Sequence, residues 1–586
     1  KDVQGLSCGF EGAIIYFIIF APVFYLLLYK SEFIAITMAF LSLIFMRMKF
    51  STLLAASMLL CSSLTVSAVE TDQLHGSLDF NNVLTSGAAQ VNAPMAFTSD
   101  GNVLVTNTQY KNMQLSSFVA KTDKDMSQTI WNLQISGSSE VVAIVPDKTG
   151  GAFIGGNFNT KITLPGVDQA ITLTGSSSTA SPKRNAFIAH INSEGKVTTA
   201  RAISTTVNQM MVNTYQYYHG DNDQMYCRLN SLVYANGQLY AGLIFTDILY
   251  NSDKTNYVEA STAAAYETIT TPTFTVGTIS MDDLSLTSFP IVFGGKGEHT
   301  DKSYYGMNVT SAKLIGDDSH LIFAARVDGY SGTGHLLINN VEKATTNFKA
   351  QGGMNTYFLA NIELTSNSVV SKEFVGTYQW GGTAEPAINN MLIDGNDLYV
   401  SGSFKTDLPF KTDLKSEGTT DAYCAKLNKN SLDVIDAIAS GYDETTISAA
   451  NIPEERLSSF AVDGKMISLS SSASYVPDAY SNTVIMLKPI SFTFDGVNKS
   501  LDTESTDYII SQAVSADGKY HYYGFLTGDQ KSLKYRYTYT DTPSGISEIE
   551  SKDDAKTKDI YTLQGIKLSA PQKGLNIIGG KKIVIK

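Results

Sequence analysis

A tight turn followed by a β-strand recurs along this chain, and that recurrence limits the fold more than any other feature. The clearest copy is Asp394–Gly402, which reads Asp-Gly-Asn-Asp-Leu-Tyr-Val-Ser-Gly. Gly supplies the positive φ that a hairpin turn needs, while Leu398, Tyr399 and Val400 suit a pleated surface. The unit returns at Asp100–Val105, Gly150–Gly155, Asn236–Ala241, Asp318–Phe323, Asp463–Ile467 and Asp517–Tyr522. Seven copies, 50 to 86 residues apart, read as a repeat architecture. Taken singly, the Asp and Asn of one copy resemble a ligand loop; their recurrence makes them turn chemistry.

A second motif follows several copies. It reads Phe118-Val119-Ala120-Lys121, Phe187-Ile188-Ala189-His190, Phe358-Leu359-Ala360-Asn361 and Tyr423-Cys424-Ala425-Lys426, with degenerate versions at Phe274–Ile279 and Val484–Leu487. Its small Ala fits a half-buried strand against which a neighbouring sheet packs closely. One unit is then a strand, the Gly turn, a second strand, an insertion of variable length, a third strand and a fourth. The fold this specifies is all-β: a seven-bladed β-propeller of four-stranded antiparallel blades, in which radial closure protects the sheet edges. The last unit, Tyr508–Val514, Lys519–Phe525 and Leu533–Thr540, is one strand short, and Gly76–Leu84 is expected to supply it and lock the ring. Composition agrees, with 31 Tyr, 28 Phe and 45 Gly in 586 residues and no long run at helical spacing.

Residues 76–541 resemble bacterial secreted propellers with SBBP-type repeats, Ile393–Phe404 and Tyr423–Leu427 most closely. The resemblance implies a propeller fold and an extracellular setting, and brings no catalytic residues with it.

The ends point to export. Arg47 and Lys49 precede an apolar core that finishes at Val66-Ser67-Ala68, so residues 46–68 read as a secretory signal peptide. Residues 1–45, which begin at Lys1, are expected to be non-native upstream translation; the alternative is membrane segments in the apolar runs Gly12–Tyr29 and Phe33–Met46. Leu60 before Cys61 argues against a lipoprotein. The propeller is assigned to 69–541 and a charged linker to 542–558. The terminal stretch 559–586, with Tyr561-Thr-Leu-Gln-Gly565 before Lys573-Gly574 and Gly580-Lys581-Lys582, reads as a small C-terminal β tail. It resembles the sorting tail of type IX secretion substrates. Together these imply a secreted protein, or one on the outer surface of a Gram-negative cell, with export machinery engaged through the tail. Membrane contact is then confined to the signal peptide or an N-terminal anchor.

A formal charge of −13 with no basic stripe argues against nucleic acid as a partner. Cys227 and Cys424 have no zinc-ligand spacing, and whether they pair is left open. The seven His residues are scattered singly. Gly329–Gly334 misses the Gly-x-Ser-x-Gly elbow at Thr333, and Gly294–Gly297 lacks the spacing of a phosphate loop. No catalytic residue, metal or cofactor is assigned. The one candidate ligand cluster is Tyr215, Tyr217, Tyr218, His219, Asp221 and Asp223, because aromatic faces beside carboxylates suit a sugar. Asp221 and Asp223 could also hold Ca²⁺, although the full loop spacing is absent. The plainer reading is an inter-blade loop. Tyr535, Tyr537 and Tyr539 share one strand face and are expected to pack between blades, with Trp131 and Trp380 as blade filler.

The expected function is an exported, non-enzymatic binding propeller for an extracellular glycan or protein. The alternatives are a carbohydrate-active hydrolase or lyase on the same scaffold, and a structural or adhesin surface protein. A discrete site should lie in what varies between repeats, such as the insertion after Ala241 and the Tyr-rich run before it.

Overall fold

The computed structural model describes residues 71–72, 74–81, 93–111, 114–175, 185–205, 227–263, 266–297, 308–328, 331–349, 355–376, 387–404, 407–416, 421–440, 454–463, 466–478, 481–486, 490–492, 498–501, 508–527, 532–539, 560–561, 567–568, 574–578 and 581–585. The leader, the apolar runs before it and the linker lie outside these residues.

Seven antiparallel sheets follow one another in chain order. Blade 1 is Met95–Phe97, Val103–Lys111, Gln114–Thr122 and Thr129–Ile135; blade 2 is Ser139–Pro146, Ala152–Phe158, Asn185–Ile191 and Val197–Ile203. Blade 3 is Cys227–Ala235, Gln238–Phe245, Thr273–Ile279 and Leu286–Gly297; blade 4 is Asn308–Gly316, His320–Asp328, Asn355–Glu363 and Val369–Gly376. Blade 5 is Ala387–Asp394, Asp397–Phe404, Asp421–Asn428 and Val434–Ser440. Blade 6 is Glu454–Asp463, Met466–Asp478, a third strand in two pieces (Ser481–Met486 and Ile490–Phe492) and Asn498–Leu501.

Blade 7 has only Tyr508–Val514, Tyr520–Leu526 and Ser532–Tyr539 from its own stretch of chain. Its fourth strand is His75–Asn81, antiparallel to Ser532–Tyr539, as the missing-strand count required. Thr71–Asp72 runs parallel to Asn498–Leu501, so the N-terminal segment spans blades 6 and 7. First strands touch first strands all the way round, from blade 1 to blade 7 and back to blade 1, which makes them the inner wall of a closed ring.

Inside a blade the two sequence motifs explain each other. Gly156 lies opposite Phe187, Gly402 opposite Tyr423 and Gly524 opposite Tyr535. Asn107 and Ala325 take the same place opposite Phe118 and Phe358. A Cβ on Gly156 would sit 2.6 Å from the Phe187 ring and 2.0 Å from the Glu140 carbonyl oxygen. The aromatic ring of the third strand therefore covers bare backbone on the second, a pairing known to compensate Gly in sheets.

The core is distributed between blades. One apolar cluster fills each of the described seams, and at the blade 3–4 seam Phe293 stacks on Phe358 with centroids 4.4 Å apart. Each fully buried ring or branched side chain contributes roughly 1.5–3 kcal/mol, so the seams hold the ring shut.

A β-bulge marks the first strand of blades 2 to 7 at one register: Val141/Ala143, Leu229/Ser231, Val309/Ser311, Ile388/Asn390, Leu457/Ser459 and Ile509/Ser511. An extra residue raises local twist and re-aims the side chains beside it, which suits the crowded inner wall.

Insertions between second and third strands fold into hairpins. Lys161–Leu164 with Ile171–Thr174 buries Ile162 and Leu164 against the blade 1–2 seam, and Ile248–Tyr250 with Tyr257–Glu259 buries Leu249 and Val258 against the blade 2–3 seam. Asp407–Leu408 with Lys411–Lys415 does the same with Leu408 and Phe410. Radial blades diverge outward, and these hairpins fill the widening gap. The insertion after Ala241, expected to carry function, is in its described part such a filler. The blade 4 hairpin, Ser331–Ile338 with Val341–Lys349, instead extends the sheet of blade 3. There the two Gly-rich runs pair with each other, Gly295 with Gly334 and Gly297 with Gly332. They are close-packed strands. The tail forms its own sheet in the order Lys567–Leu568, Ile560–Tyr561, Gly574–Ile578, Lys581–Ile585.

Candidate functional site

An antiparallel meander puts the first-to-second and third-to-fourth turns on one face of the ring, and the other connections on the opposite face. Among the described residues the first face carries only short turns. The second carries the described insertions, and the strands that flank the connection 206–226 end and begin there. Tyr215, Tyr217, Tyr218, His219, Asp221 and Asp223 fall in that connection and lie outside the described residues. Trp380 does too; Trp131 donates its Nε1 hydrogen to Ser193 O at 2.9 Å, bridging blades 1 and 2.

On the short-turn face the repeated carboxylates are occupied structurally. Lys121 Nζ, from the end of the second motif, donates to Asp100 Oδ2 at 2.7 Å and to Gly150 O of the next blade at 2.8 Å. His190 meets Asp147 at 2.8 Å and Lys426 meets Asp397 at 2.7 Å. Burial opposes the Asp100 charge, but hydrogen bonds from Lys121, Thr98 and Asn102 and the Lys121 charge outweigh it and hold the carboxyl at about 2. In blades 1, 2 and 5 the polar residue that closes the second motif thus bonds the Asp of the turn beside it, while in blade 4 Asn361 donates to Lys429 O instead. Cys227 and Cys424 are free, buried and in different blades. Burial pushes the Cys227 thiol up to about 12, and the Cys424 thiol up as well.

The same face carries an aromatic surface at the closing seam. Tyr520 and Tyr522 on the second strand of blade 7 stand opposite Tyr539 and Tyr537 on the third, and His75 of the N-terminal strand stands opposite Tyr537. Ring centroids are 4.8 Å apart for Tyr520–Tyr539, 5.6 Å for Tyr520–Tyr537 and 5.6 Å for His75–Tyr537. The ladder is graded. Tyr535 is fully buried against Gly524, Tyr537 and Tyr520 are half-buried, and Tyr539 is 40% exposed. Only Tyr535 behaves wholly as the expected inter-blade filler.

Tyr522 Oη donates to Lys124 O at 2.9 Å, which brings the blade 1 turn alongside the ladder. Burial raises the Tyr537 phenol, and the charges of Asp125 and Asp123 in that turn add to the rise. Aromatic faces, phenol hydroxyls and carboxylates therefore meet in one place. That combination stacks on sugar rings and hydrogen-bonds their hydroxyls. Alternation in the sequence puts the three tyrosines on one face; their partners Tyr520 and His75 come from elsewhere in the chain, and no motif announces them.

A cleft of about 300 Å³ between blades 2 and 3 is lined by Arg201, Asn251, Asp253, Asp283 and neighbours. Its Arg201 and Asp283 already pair at 2.7 Å. Among the described residues no three His, Cys, Asp or Glu side chains are grouped as metal ligands.

No family model and no curated protein matches this chain. Solved structures similar to it include the Dos1 propeller (TM-score 0.34, 10% identity, 79% of this chain and 95% of that one). Polysaccharide lyase Uly1 (TM-score 0.32, 9% identity, 81% and 100%) and the WD40 domain of SCAP from fission yeast (TM-score 0.29, 9% identity, 79% and 98%) are also similar.

Proposed function

We propose that the protein is an exported binding propeller that holds a glycan, or an extended protein segment, on the tyrosine ladder at its closing seam. The observation that carries this is the graded ladder of His75, Tyr537, Tyr520 and Tyr539, partly open to solvent and bordered by Asp123 and Asp125. Tyrosine offers rigid, amphipathic contact area at low entropy cost, which suits a recognition surface. The leader at 46–68 and the tail at 559–586 support delivery to the outer surface of a Gram-negative bacterium, or release from it, with the tail read by the export machinery.

A glycan panel, screened for binding and for product release together, tests the reading. Tyr539→Ala and Tyr537→Ala should each weaken binding about tenfold, the effect of losing one stacked aromatic worth 1–3 kcal/mol. Binding unchanged in both variants rules the ladder out. Release of a cleaved product would move the reading to a hydrolase or lyase.

A further inference from the structure

The inner strands of blades 2, 3 and 4 gather hydrogen-bond donors at the ring axis, away from the tyrosine ladder. Three cross-blade hydrogen bonds set their alignment. Asn157 of blade 2 donates to Glu140 Oε1 at 2.9 Å and to Leu229 O at 3.1 Å, and accepts from Leu229 N at 2.7 Å. Leu314 N of blade 4 donates to Ser231 Oγ at 2.9 Å. Arg228 and Asn230 flank Leu229, and Lys313 precedes Leu314, so the four residues are drawn together by bonds on their neighbours. Ala312 and Leu314 pack into the blade 3–4 core. Alternation then turns Ser311 and Lys313 off that core.

Asn230 Nδ2 and Ser311 Oγ are buried and have no hydrogen-bond partner among the described residues. Buried donors left without acceptors are costly and call for an explanation. Lys313 is also held below its ordinary range, by burial first and by the Arg228 charge second, with Glu140 offsetting only part. Glu140 belongs to blade 2 and Lys313 to blade 4, so their mutual influence reaches past blade 3 along the inner wall. Glu140 already accepts from Asn157 through Oε1.

We propose that this part of the axis is an oxyanion site, taking a carboxylate, sulfate or phosphate group between Arg228 and Lys313, with Asn230 Nδ2 and Ser311 Oγ as additional donors. Guanidinium and ammonium groups together offer a forked donor and a point charge, which suits an oxyanion with several acceptor oxygens. An anion seated there restores the Lys313 charge and supplies acceptors to the two unpartnered groups.

Calorimetric titration of the purified protein with sulfate, inorganic phosphate and D-glucuronate, at constant ionic strength, tests the site. Saturable binding of at least one probe is expected. It should weaken at least tenfold in Lys313→Met and in Arg228→Gln, persist in Lys313→Arg, and tighten severalfold in Glu140→Gln. Glucuronate alone binding marks an acidic sugar as the source of the oxyanion; sulfate or phosphate alone marks a free inorganic ion. No saturable binding of any probe overturns the proposal, as does binding unchanged in both cation-removing variants or weakened in Glu140→Gln. Should Lys313→Met fail to fold, Arg228→Gln and Glu140→Gln still decide the matter. Tyr539→Ala should leave oxyanion binding intact, which separates this site from the ladder.

Discussion

Lys429→Met measures what one charged contact between blades contributes. Lys429 sits in the turn after the third strand of blade 5 and places Nζ 2.7 Å from Asp317 Oδ2, in the first turn of blade 4. Its own carbonyl accepts from Asn361 Nδ2 at 2.8 Å, so the turn is tied to blade 4 twice. The two charged side chains are 12% and 30% exposed, which leaves the pair only partly screened. Burial opposes the Asp317 charge, yet bonds from Lys429, from the Ser319 and His320 amides and from the His320 ring outweigh it, and the carboxyl falls from 3.8 to about 2.

A lowering of that size corresponds to roughly 2 kcal/mol of extra stability for the ionised native state. Lys429 shares it with three other donors, which leaves about 1 kcal/mol for the pair, within the usual range for a partly exposed contact. The sign follows from the depressed value. The contribution is complete above the unfolded-state value and drains away as pH falls through the native one. Urea unfolding should therefore show Lys429→Met weaker than wild type by about 1 kcal/mol near pH 7, with the difference shrinking toward zero near pH 2. A double-mutant cycle with Asp317→Asn should return a coupling of similar size. Equal destabilisation at both pH values, or a coupling near zero, would refute the reasoning and leave the contact as packing alone.

Leu78→Asp, in the strand that closes the ring, puts a charge where Leu78 is only 7% exposed. Thermal unfolding should show a loss of several kcal/mol, and limited proteolysis should cut first at the blade 7–1 seam; an unchanged melting point would mean that His75–Asn81 does not hold the ring shut. Turns before the fourth strands hold an L-residue at positive φ, among them Asn367 at 54° and the fully buried Leu432 at 57°. Relief of left-handed strain is about 1–2 kcal/mol, so denaturant titration should find Asn367→Gly neutral to stabilising, while Leu432→Gly loses more in burial than it gains and is destabilised by about 1–3 kcal/mol. Cys227 and Cys424 should resist alkylation near pH 8 in the native protein and react fully in urea, as peptide mass mapping would report. Native-state labelling of either would contradict their burial.

How far the sequence could be read depends on the range of the interactions involved. Turn chemistry and strand alternation act over a few residues, so Asp394–Gly402 and its look-alikes disclosed the blades. The shortage of a strand in the last repeat pointed to Gly76–Leu84, and the structure uses His75–Asn81. The candidate site was much less legible. Tyr535, Tyr537 and Tyr539 alternate in plain view, but their gradation from buried to exposed depends on Gly524 and Tyr520 across the hairpin and on His75, which only closure brings alongside.

The sequence by itself determined the all-β character, the repeat, the blade order and the need for a borrowed strand, because these follow from backbone geometry at each short segment. Tertiary structure alone decided what the recurring polar groups do. Whether a turn Asp is a ligand or one half of an ion pair depends on Lys121 or Lys429 arriving from another strand or blade. Pairing of the Gly-rich runs 294–297 and 331–334 across a blade boundary, and the bond from Leu314 N to Ser231 Oγ between blades 4 and 3, are likewise contacts between distant parts of the chain. No local pattern encodes such meetings; they exist only once seven twisted sheets share one axis.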